Sequence, residues 1–262
     1  MAFTLGPRAI SAGYRLASFD QIGSTNSEAT ARARAGERGP MWFVTTEQTA
    51  GRGRRQRAWI APRGNLAASV LETLEVAPAT AATLGFAAGL ALEAALRAVT
   101  GPASGGFSLK WPNDVLAGPA KLSGILLEAE VLPDGRLAVV VGMGTNVIAA
   151  PEATPTPATS LLALGLDTSP ERLFTALSDG WAECYAVWDQ GRGFGEIRRR
   201  WLALAAGLGQ PVAVHTGNAT VSGIFDTIDD TGCMIVRTSS GNRVPISAGD
   251  VHFGTAASAR AD

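Results

Sequence analysis

Two long apolar segments joined by a tight turn constrain the fold of this chain more than any other feature. KLSGILLEAEV (121–131) and RLAVVVGMGTNV (136–147) have the length and aliphatic content of buried strands. The Pro-Asp-Gly sequence between them is a strong turn signal. Because so short a link favours antiparallel pairing, the sequence predicts that the two segments form a β-hairpin.

The segments on either side of this hairpin predict further strands and helices. A strand is predicted to begin near Phe19 and to lead into a helix that is capped at Ser24 and stopped at Gly36. Apolar runs of strand length are MWFVTTEQ (41–48), NLAASVLE (65–72) and GFSLKW (106–111). Helical spacing of apolar residues predicts helices over residues 78–99, 170–190 and 194–206.

The sequence changes character near Gly207. From there on, short β-branched runs alternate with the turn sequences TGN, DDTG and SSGN, about every 8–12 residues. This spacing predicts a small β-barrel. We therefore divide the chain into a main domain, residues 1–206, and a C-terminal barrel with its tail, residues 207–262.

Composition excludes several classes of protein. The formal net charge is −1, so a general affinity of the surface for nucleic acid or anionic lipid is not expected. Only Cys184 and Cys233 are present, which argues against a disulfide framework and favours the reducing cytoplasm. The most apolar segment (84–99) contains Glu93 and Arg97 and is shorter than a membrane span, so we interpret it as a buried helix.

The segment TAGRGRRQRAW (49–59) concentrates positive charge in a nearly neutral chain. It holds four arginines, at positions 52, 54, 55 and 57. Like charges about 4 Å apart repel by ~1 kcal/mol in water and by ~4 kcal/mol at an effective dielectric constant of ~20. Gly51 and Gly53 would let backbone N–H groups approach an anion. The loop is therefore predicted to be mobile when empty and ordered around phosphate, the alternative being a solvated basic turn.

Two further segments carry residues suited to phosphate chemistry. In KWPND (110–114), Asn113 and Asp114 are predicted to lie on a loop after a strand, where Asp114 beside Lys110 could bind a metal–phosphate unit. In KLSGIL, Lys121 at the strand end could hold a carboxylate or phosphoryl oxygen, and Gly124 could allow close approach of a ligand. The alternatives are an ordinary turn and a solvated lysine. His215 and His252 are interpreted as structural or surface residues.

Taken in order, six short motifs resemble those of the biotin–protein ligases. They are GSTN (23–26), EQTAGRGRRQRAW (47–59), RGN (63–65), KWPND (110–114), KLSGILLE (121–128) and GMGTN (142–146). The resemblance covers roughly residues 12–255 and implies an α+β fold, a mixed sheet with helices on one side, followed by a small SH3-like barrel. It implies an ATP-dependent enzyme that forms biotinyl-5′-AMP and then biotinylates a lysine of a biotin carboxyl carrier domain.

The same resemblance implies roles for individual residues. The implied biotin site consists of Ser24, Thr25, Asn26, Gln48, Gly51, Arg52, Lys121 and Gly124. The implied nucleotide site consists of Arg54, Arg55, Arg57, Trp59, Asn65, Lys110, Asn113, Asp114, Gly142, Gly144 and Asn146. Lys121, Arg52 and Arg54 are implied to be catalytic, with Arg52 and Lys121 offsetting the repulsion between carboxylate and α-phosphate. Asp114 is implied to contact Mg²⁺ bound with ATP.

Some positions depart from the family pattern, and some questions stay open. Gln56 stands where glycine is usual, and Met143 and Thr145 are also atypical, which puts loop ordering in doubt. Lipoate or octanoate ligases are the nearest alternative class, and an RNA-binding module is a more distant one. Only 23 residues precede Ser24, too few for a helix-turn-helix domain, so DNA binding is not expected. The sequence leaves a homodimer possible.

Overall fold

The computed structural model describes residues 2–101, 106–152, 154, 156–217 and 219–253, which form two β-sheets and the helices around the first sheet. The strands of the first sheet are β1 (Arg15–Phe19), β2 (Met41–Thr45), β3 (Leu66–Leu74), β4 (Ser108–Lys110), β5 (Asp114–Ala117), β6 (Ala120–Val131) and β7 (Leu137–Thr145). The helices are α1 (Pro7–Ser11), α2 (Thr25–Arg34), α3 (Pro78–Ala82), α4 (Leu84–Thr100), α5 (Pro170–Trp188) and α6 (Phe194–Ala203).

The first sheet is mixed and has the strand order β1-β2-β3-β7-β6-β5-β4. Strands β1 and β2 are parallel, and the other neighbours are antiparallel. The predicted hairpin is confirmed, since β6 and β7 pair from Ser123 opposite Thr145 to Val131 opposite Leu137. This hairpin lies in the middle of the sheet, where both its strands have neighbours on each side.

Helices cover both faces of this sheet, whereas the resemblance implied helices on one side only. On one face, Trp42 and Val44 of β2 belong to the main core with residues of α4 and α5. On the other face, Phe43 packs in a smaller cluster with Ala29 and Ala33 of α2. The fully buried run of β2 thus follows from burial on both faces of the sheet, since alternate side chains of a strand point to opposite faces.

The helix predicted over residues 78–99 is divided into α3 and α4 at Thr83. The Thr83 hydroxyl donates to the Thr80 carbonyl oxygen at 2.6 Å and accepts a hydrogen bond from the Trp188 indole at 2.7 Å. The span Pro78–Thr100 is long and apolar enough to cross a membrane, but 72% of its most apolar window is buried inside the protein. It is therefore explained as the core helix that packs on α5.

A buried carboxyl group lies next to Tyr14 and Trp181 of the main core. Glu72 of β3 is 4% exposed, and its Oε1 accepts hydrogen bonds from the Tyr14 hydroxyl at 2.7 Å and from the Trp181 indole at 3.0 Å. Burial raises the pKa of Glu72 to about 7, and the hydrogen bonds from Tyr14 and Trp181 oppose that shift. Burial likewise raises the pKa of Tyr14 well above its ordinary value.

The second sheet is antiparallel and is formed by the residues that follow Gly207. Its strands are β8 (Pro211–Thr216), β9 (Ala219–Ile228), β10 (Met234–Arg237), β11 (Arg243–Ile246) and β12 (Asp250–Phe253), in the order β11-β10-β9-β8-β12. The prediction of a small C-terminal β-domain is confirmed, while the tail from residue 254 lies outside the described residues. The indole of Trp111 donates to the Gly232 carbonyl oxygen at 3.2 Å, which ties this sheet to the main domain.

Two further elements differ from the sequence-based prediction. The first strand lies earlier than predicted and ends, rather than begins, at Phe19. Asp114 does not lie on a loop, because it is the first residue of β5, a short strand that was not predicted. The pairing of β5 with β6 is irregular next to Lys121. The sequence of β5 therefore lacks the regular alternation from which a strand is predicted.

Candidate active site

A cavity of about 650 Å³ lies over β3, β7 and β6, under the loop that carries the arginines. This volume is within the range of small-molecule sites. Its lining includes six cationic side chains and three acidic ones. The cationic residues are Arg52, Arg54, Arg55, Arg57, Lys110 and Lys121, and the acidic ones are Asp114, Glu152 and Asp250. The cavity therefore attracts anions although the whole chain is nearly neutral.

One end of the cavity is formed by the N-terminus of α2. Ser24 caps this helix, since its hydroxyl accepts from the Ser27 N–H at 3.4 Å. The backbone N–H and the hydroxyl of Thr25 both donate to Oε1 of Gln48, at 2.9 and 3.1 Å. The structure thus brings together Ser24, Thr25, Asn26 and Gln48, four residues of the predicted biotin site, in a buried and mostly neutral polar pocket.

Ser69 of β3 completes this polar pocket and was not predicted. Its side chain is fully buried, and its oxygen lies 2.7 Å from the Thr25 hydroxyl and 2.6 Å from Oδ1 of Asn26. Because a buried hydroxyl must be hydrogen-bonded, Ser69 fixes both neighbours. A serine within the otherwise apolar strand LAASVL was the sequence signal that could have found it.

Glycines of β6 and β7 make room for side chains of the protein on the floor of the cavity. A Cβ atom at Gly144 would lie 2.6 Å from the Trp59 indole, and one at Gly124 would lie 3.1 Å from it. A Cβ atom at Gly142 would clash with the amide of Asn26. Trp59 thus lies flat on the glycine floor, and its indole N–H is buried without a hydrogen-bond partner among the described residues.

Lys121 and Asp114 form the other end of the cavity. The Lys121 ammonium lies 2.6 Å from Oδ1 of Asp114 and 5.4 Å from the centroid of the Trp59 ring. The Asp114 carboxylate is therefore neutralised by Lys121 at this end of the cavity. Lys110 lies over the Phe253 ring at 5.3 Å, and burial lowers the pKa of its ammonium group.

The arginines of the loop are paired with groups of the protein. Arg54 donates to Oδ1 of Asn113 at 2.9 Å, and burial, followed by the charge of Arg55, lowers its pKa. Arg55 and Arg57 both pair with Asp250 of β12, at 2.7 and 3.3 Å. Carboxylate and amide groups of the protein therefore offset part of the repulsion between the arginines of the loop.

The backbone of the loop adopts the conformation for which glycine is usual. Arg55 and Gln56 have φ angles of 54° and 60°, inside a short 3₁₀ turn, Arg54–Gln56. The doubt raised by Gln56 is therefore justified, since a non-glycine residue in this region costs of order 1 kcal/mol or more. Thr145, the other polar departure, is fully buried, and its hydroxyl lies 3.0 Å from that of Ser123.

The structure separates some residues that the sequence analysis had grouped. Asn65 does not line the cavity, because it is buried and its Oδ1 accepts from the backbone N–H groups of residues 147, 148 and 149. Gly51 does not line the cavity either, and a Cβ atom there would lie 2.4 Å from the Trp59 carbonyl oxygen. The Arg52 guanidinium pairs with Glu128 at 2.7 Å, whereas the Lys121 ammonium pairs with Asp114 at 2.6 Å.

Three lining or supporting residues were missed besides Ser69. They are Glu128, Asp250 and His252, the last of which packs edge-on against His215 at 4.9 Å and lines the cavity. Each lies far in sequence from the residue it supports. Nothing in the local sequence marks a carboxylate as the partner of an arginine 76 or 195 positions away.

Comparisons with known proteins agree with this geometry. The sequence profile of the Biotin/lipoate A/B protein ligase family matches residues 20–146, and that of the Biotin protein ligase C terminal domain matches residues 207–254. A biotin–[acetyl-CoA-carboxylase] ligase from Paracoccus denitrificans is 42% identical over 88% of this chain and 97% of that protein. One from Mycobacterium tuberculosis is 37% identical over 88% of this chain and 86% of that protein.

A solved structure has the same fold over nearly the whole chain. The biotin protein ligase from Aquifex aeolicus in complex with biotin and ATP has a TM-score of 0.76, with 25% sequence identity, 92% of this chain and 99% of that chain covered. Fold, cavity and sequence thus define a member of the biotin and lipoate ligases. Within that class, the chain belongs to the biotin protein ligase family.

Proposed function

We propose that the cavity joins biotin to ATP and that the activated biotin is then passed to a protein lysine. The observation that carries this proposal is the polarity of the cavity: a neutral hydrogen-bonding pocket at Thr25 and Gln48 and a cationic end at Lys121. Biotin has the matching form, a neutral ureido head and a carboxylate at the end of an aliphatic chain. The likeness to biotin–[acetyl-CoA-carboxylase] ligases supports the same reaction.

The first step makes a mixed anhydride. A biotin carboxylate oxygen attacks the α-phosphorus of ATP, the bond to the β-phosphate oxygen breaks, and pyrophosphate leaves, which gives biotinyl-5′-AMP. Both reactants are anionic, so their approach needs positive charge. Lys121 supplies that charge where the carboxylate and the α-phosphate meet, and holding both reactants in one cavity adds proximity.

The second step transfers the acyl group. The ε-amine of an acceptor lysine attacks the biotinyl carbonyl carbon, the bond to the phosphate oxygen breaks, AMP leaves, and the amine loses a proton. Because the anhydride hydrolyses readily in water, the loop over the cavity must protect it. The half-buried Arg54 guanidinium, held by Asn113, is placed to cover the phosphate.

Asn146 supports a nucleotide in the same cavity. It is 1% exposed, and its Nδ2 donates to the Thr159 carbonyl oxygen at 3.0 Å. Asn146 lines the cavity, and its Oδ1 has no hydrogen-bond partner among the described residues. A buried acceptor without a partner is costly, and the exocyclic amine of adenine is a donor that would satisfy it.

Magnesium would bind with ATP beside Asp114. In the part of the chain that the structure describes, no group of three or more acidic, histidine or cysteine side chains could hold a metal alone. Mg²⁺ in nucleotide sites takes one or two carboxylates and completes its shell with phosphate oxygens and water. Asp114, which lines the cavity, would supply one such carboxylate. When bound, the ion would neutralise phosphate charge.

The acceptor that fits this chemistry is a biotin carboxyl carrier domain of a carboxylase, as the names of the relatives imply. A cytoplasmic location is proposed because both cysteines are free in the structure. Residues 207–262 are proposed to act as a separate domain, of which residues 249–252 line one side of the cavity.

Mass spectrometry tests the proposal. A biotin carboxyl carrier domain incubated with the protein, ATP, Mg²⁺ and biotin should gain one biotinyl group at one lysine. The carrier with its acceptor lysine replaced by arginine is the matched control. If lipoate or octanoate were attached in place of biotin, the proposed substrate would be rejected.

A further inference from the structure

Glu128 of β6 holds two residues at the neutral end of the cavity. Its two carboxylate oxygens each lie 2.7 Å from the Arg52 guanidinium. Its Oε2 also accepts a hydrogen bond from Nδ2 of Asn26 at 2.9 Å. Glu128 does not line the cavity itself, whereas Arg52 and Asn26 do. The carboxylate therefore lies behind both residues and fixes their positions.

Asn26 has no free amide atom with which to bind a ligand. Its Oδ1 lies 2.6 Å from the Ser69 hydroxyl, and its Nδ2 is shared between the Leu126 carbonyl oxygen, at 3.3 Å, and Glu128. An amide oxygen can accept a second hydrogen bond. The Asn26 oxygen is not accessible to a ligand, however, because Asn26 is only 4% exposed and this oxygen occupies the space that a Cβ atom of residue 142 would fill. Asn26 thus connects α2 to β3 and β6 through its side-chain hydrogen bonds and has a structural role.

The same contacts fix where Arg52 and Lys121 lie along β6. The Lys121 ammonium lies close to Gly124, where a Cβ atom would be 3.2 Å from it, and Arg52 reaches Glu128, four residues further along β6. Four residues of extended strand span roughly 13 Å between Cα atoms. Arg52 and Lys121 are therefore held at different positions along β6.

We propose that Glu128 is a positioning residue for the head-group end of the biotin site, acting through Arg52 and Asn26. This inference rests on the proposed function and deepens it. The negative charge of Glu128 neutralises Arg52, so that the head-group end offers a fixed guanidinium and a fixed helix terminus to a neutral ligand group. The positive charge used on the carboxylate and phosphates then comes from Lys121 and from Arg54, whose guanidinium donates to the neutral Asn113 side chain.

The test compares Glu128→Gln with Glu130→Gln. Glu130 is a matched control, because it lies two residues further on the same face of β6 and pairs with Arg34, at 2.8 Å, away from the cavity. Loss of a partly exposed ion pair corresponds to at most about a fivefold effect. In biotin-dependent pyrophosphate exchange, Glu128→Gln should raise the KM for biotin about two- to fivefold, with the KM for ATP and kcat unchanged. Glu130→Gln should change neither KM.

The outcomes separate the possible failures. An unchanged KM for biotin in Glu128→Gln, or an equal rise in both KM values, would overturn the positioning role. Arg52→Gln should give the same selective rise, and the double variant Arg52→Gln/Glu128→Gln should be no worse than either single variant; additive effects would overturn the proposal. If Glu128→Gln does not fold, the KM values of Arg52→Gln test the proposal in its place. If the unaltered protein lacked biotin-dependent exchange, the proposed function itself would fail.

Discussion

The carboxylate of Asp250, the first residue of β12, lies 2.7 Å from the guanidinium of Arg55 in the loop over the cavity. Arg57 shares the same carboxylate oxygen at 3.3 Å. The C-terminal sheet therefore supplies an internal anion to a loop whose own charges repel one another. Both pairs are partly exposed, so each contributes at most about 1 kcal/mol.

We predict that Asp250→Asn loosens the loop. Preformed biotinyl-5′-AMP should dissociate about three- to tenfold faster, because two ion pairs that hold the closed loop are lost. Dissociation is measured by chasing labelled adenylate from the protein. Asp226→Asn is the matched control, since Asp226 pairs with Arg237 and Arg243 within the C-terminal sheet. Equal retention by Asp250→Asn and the unaltered protein would show that the pairs do not hold the loop.

Lys121→Ala should abolish most of the adenylation activity. The ammonium at the cationic end of the cavity is the group placed to offset the repulsion between two anionic reactants. Pyrophosphate exchange should fall on the order of a hundredfold or more, as on removal of one group that stabilises transition-state charge. Thermal unfolding should change little, because the lysine side chain is 25% exposed and is not part of the core. Exchange near the normal rate would remove Lys121 from the mechanism.

Arg54→Gly should let the activated intermediate escape. This variant deletes the half-buried guanidinium that Asn113 holds over the cavity and leaves the polar pocket around Thr25 intact. Biotinyl-5′-AMP should still form, but it should label lysines of bystander proteins without selection. Labelling is measured on added serum albumin. Bystander labelling no greater than with the unaltered protein would contradict a covering role for Arg54.

Glu72→Gln should change how stability depends on pH. The folded-state pKa of Glu72, about 7, is above the unfolded value of 4.5, so the folded state binds the proton more tightly. The free energy of unfolding should therefore fall as pH rises from about 4.5 to about 7, by up to ~3 kcal/mol, and then stay level. In Glu72→Gln this decrease in the free energy of unfolding should be absent.

Denaturant unfolding at pH 5 and pH 8 measures that difference. Near pH 5 the neutral Glu72 and its isosteric replacement should have similar stability, and near pH 8 the variant should be the more stable. The hydrogen bonds from Tyr14 and Trp181 remain possible to the glutamine oxygen. The same pH dependence in both proteins would show that Glu72 stays ionised in the core.

Much of the fold follows from local sequence patterns. The β6–β7 hairpin, α2 with its Ser24 cap and the small C-terminal β-domain each have a periodic or turn signal within one segment. The division at Thr83 and the short strand β5 have no such signal. Thr83 is placed by the distant Trp188 indole, and β5 depends on pairing with an irregular part of β6.

The candidate site was predictable where one loop or strand end carries the chemistry. The arginine loop, Lys121 and the glycines of β7 lie at the cavity, as their residue types suggested. Glu128 and Asp250 could not be found in this way, because their importance arises only when the folded chain brings them to Arg52 and Arg55. The sequence suggested that Gly124 lets a ligand approach the strand closely. In the structure, the absence of Cβ atoms at this and the neighbouring glycines makes room for Trp59 and Asn26.

Biotin-dependent exchange of labelled pyrophosphate into ATP tests the central claim most directly. Exchange should need both biotin and Mg²⁺, should not be supported by lipoate or octanoate, and should be lost in Lys121→Ala. Exchange that proceeds without biotin, or that is supported equally by lipoate, would contradict the proposed function.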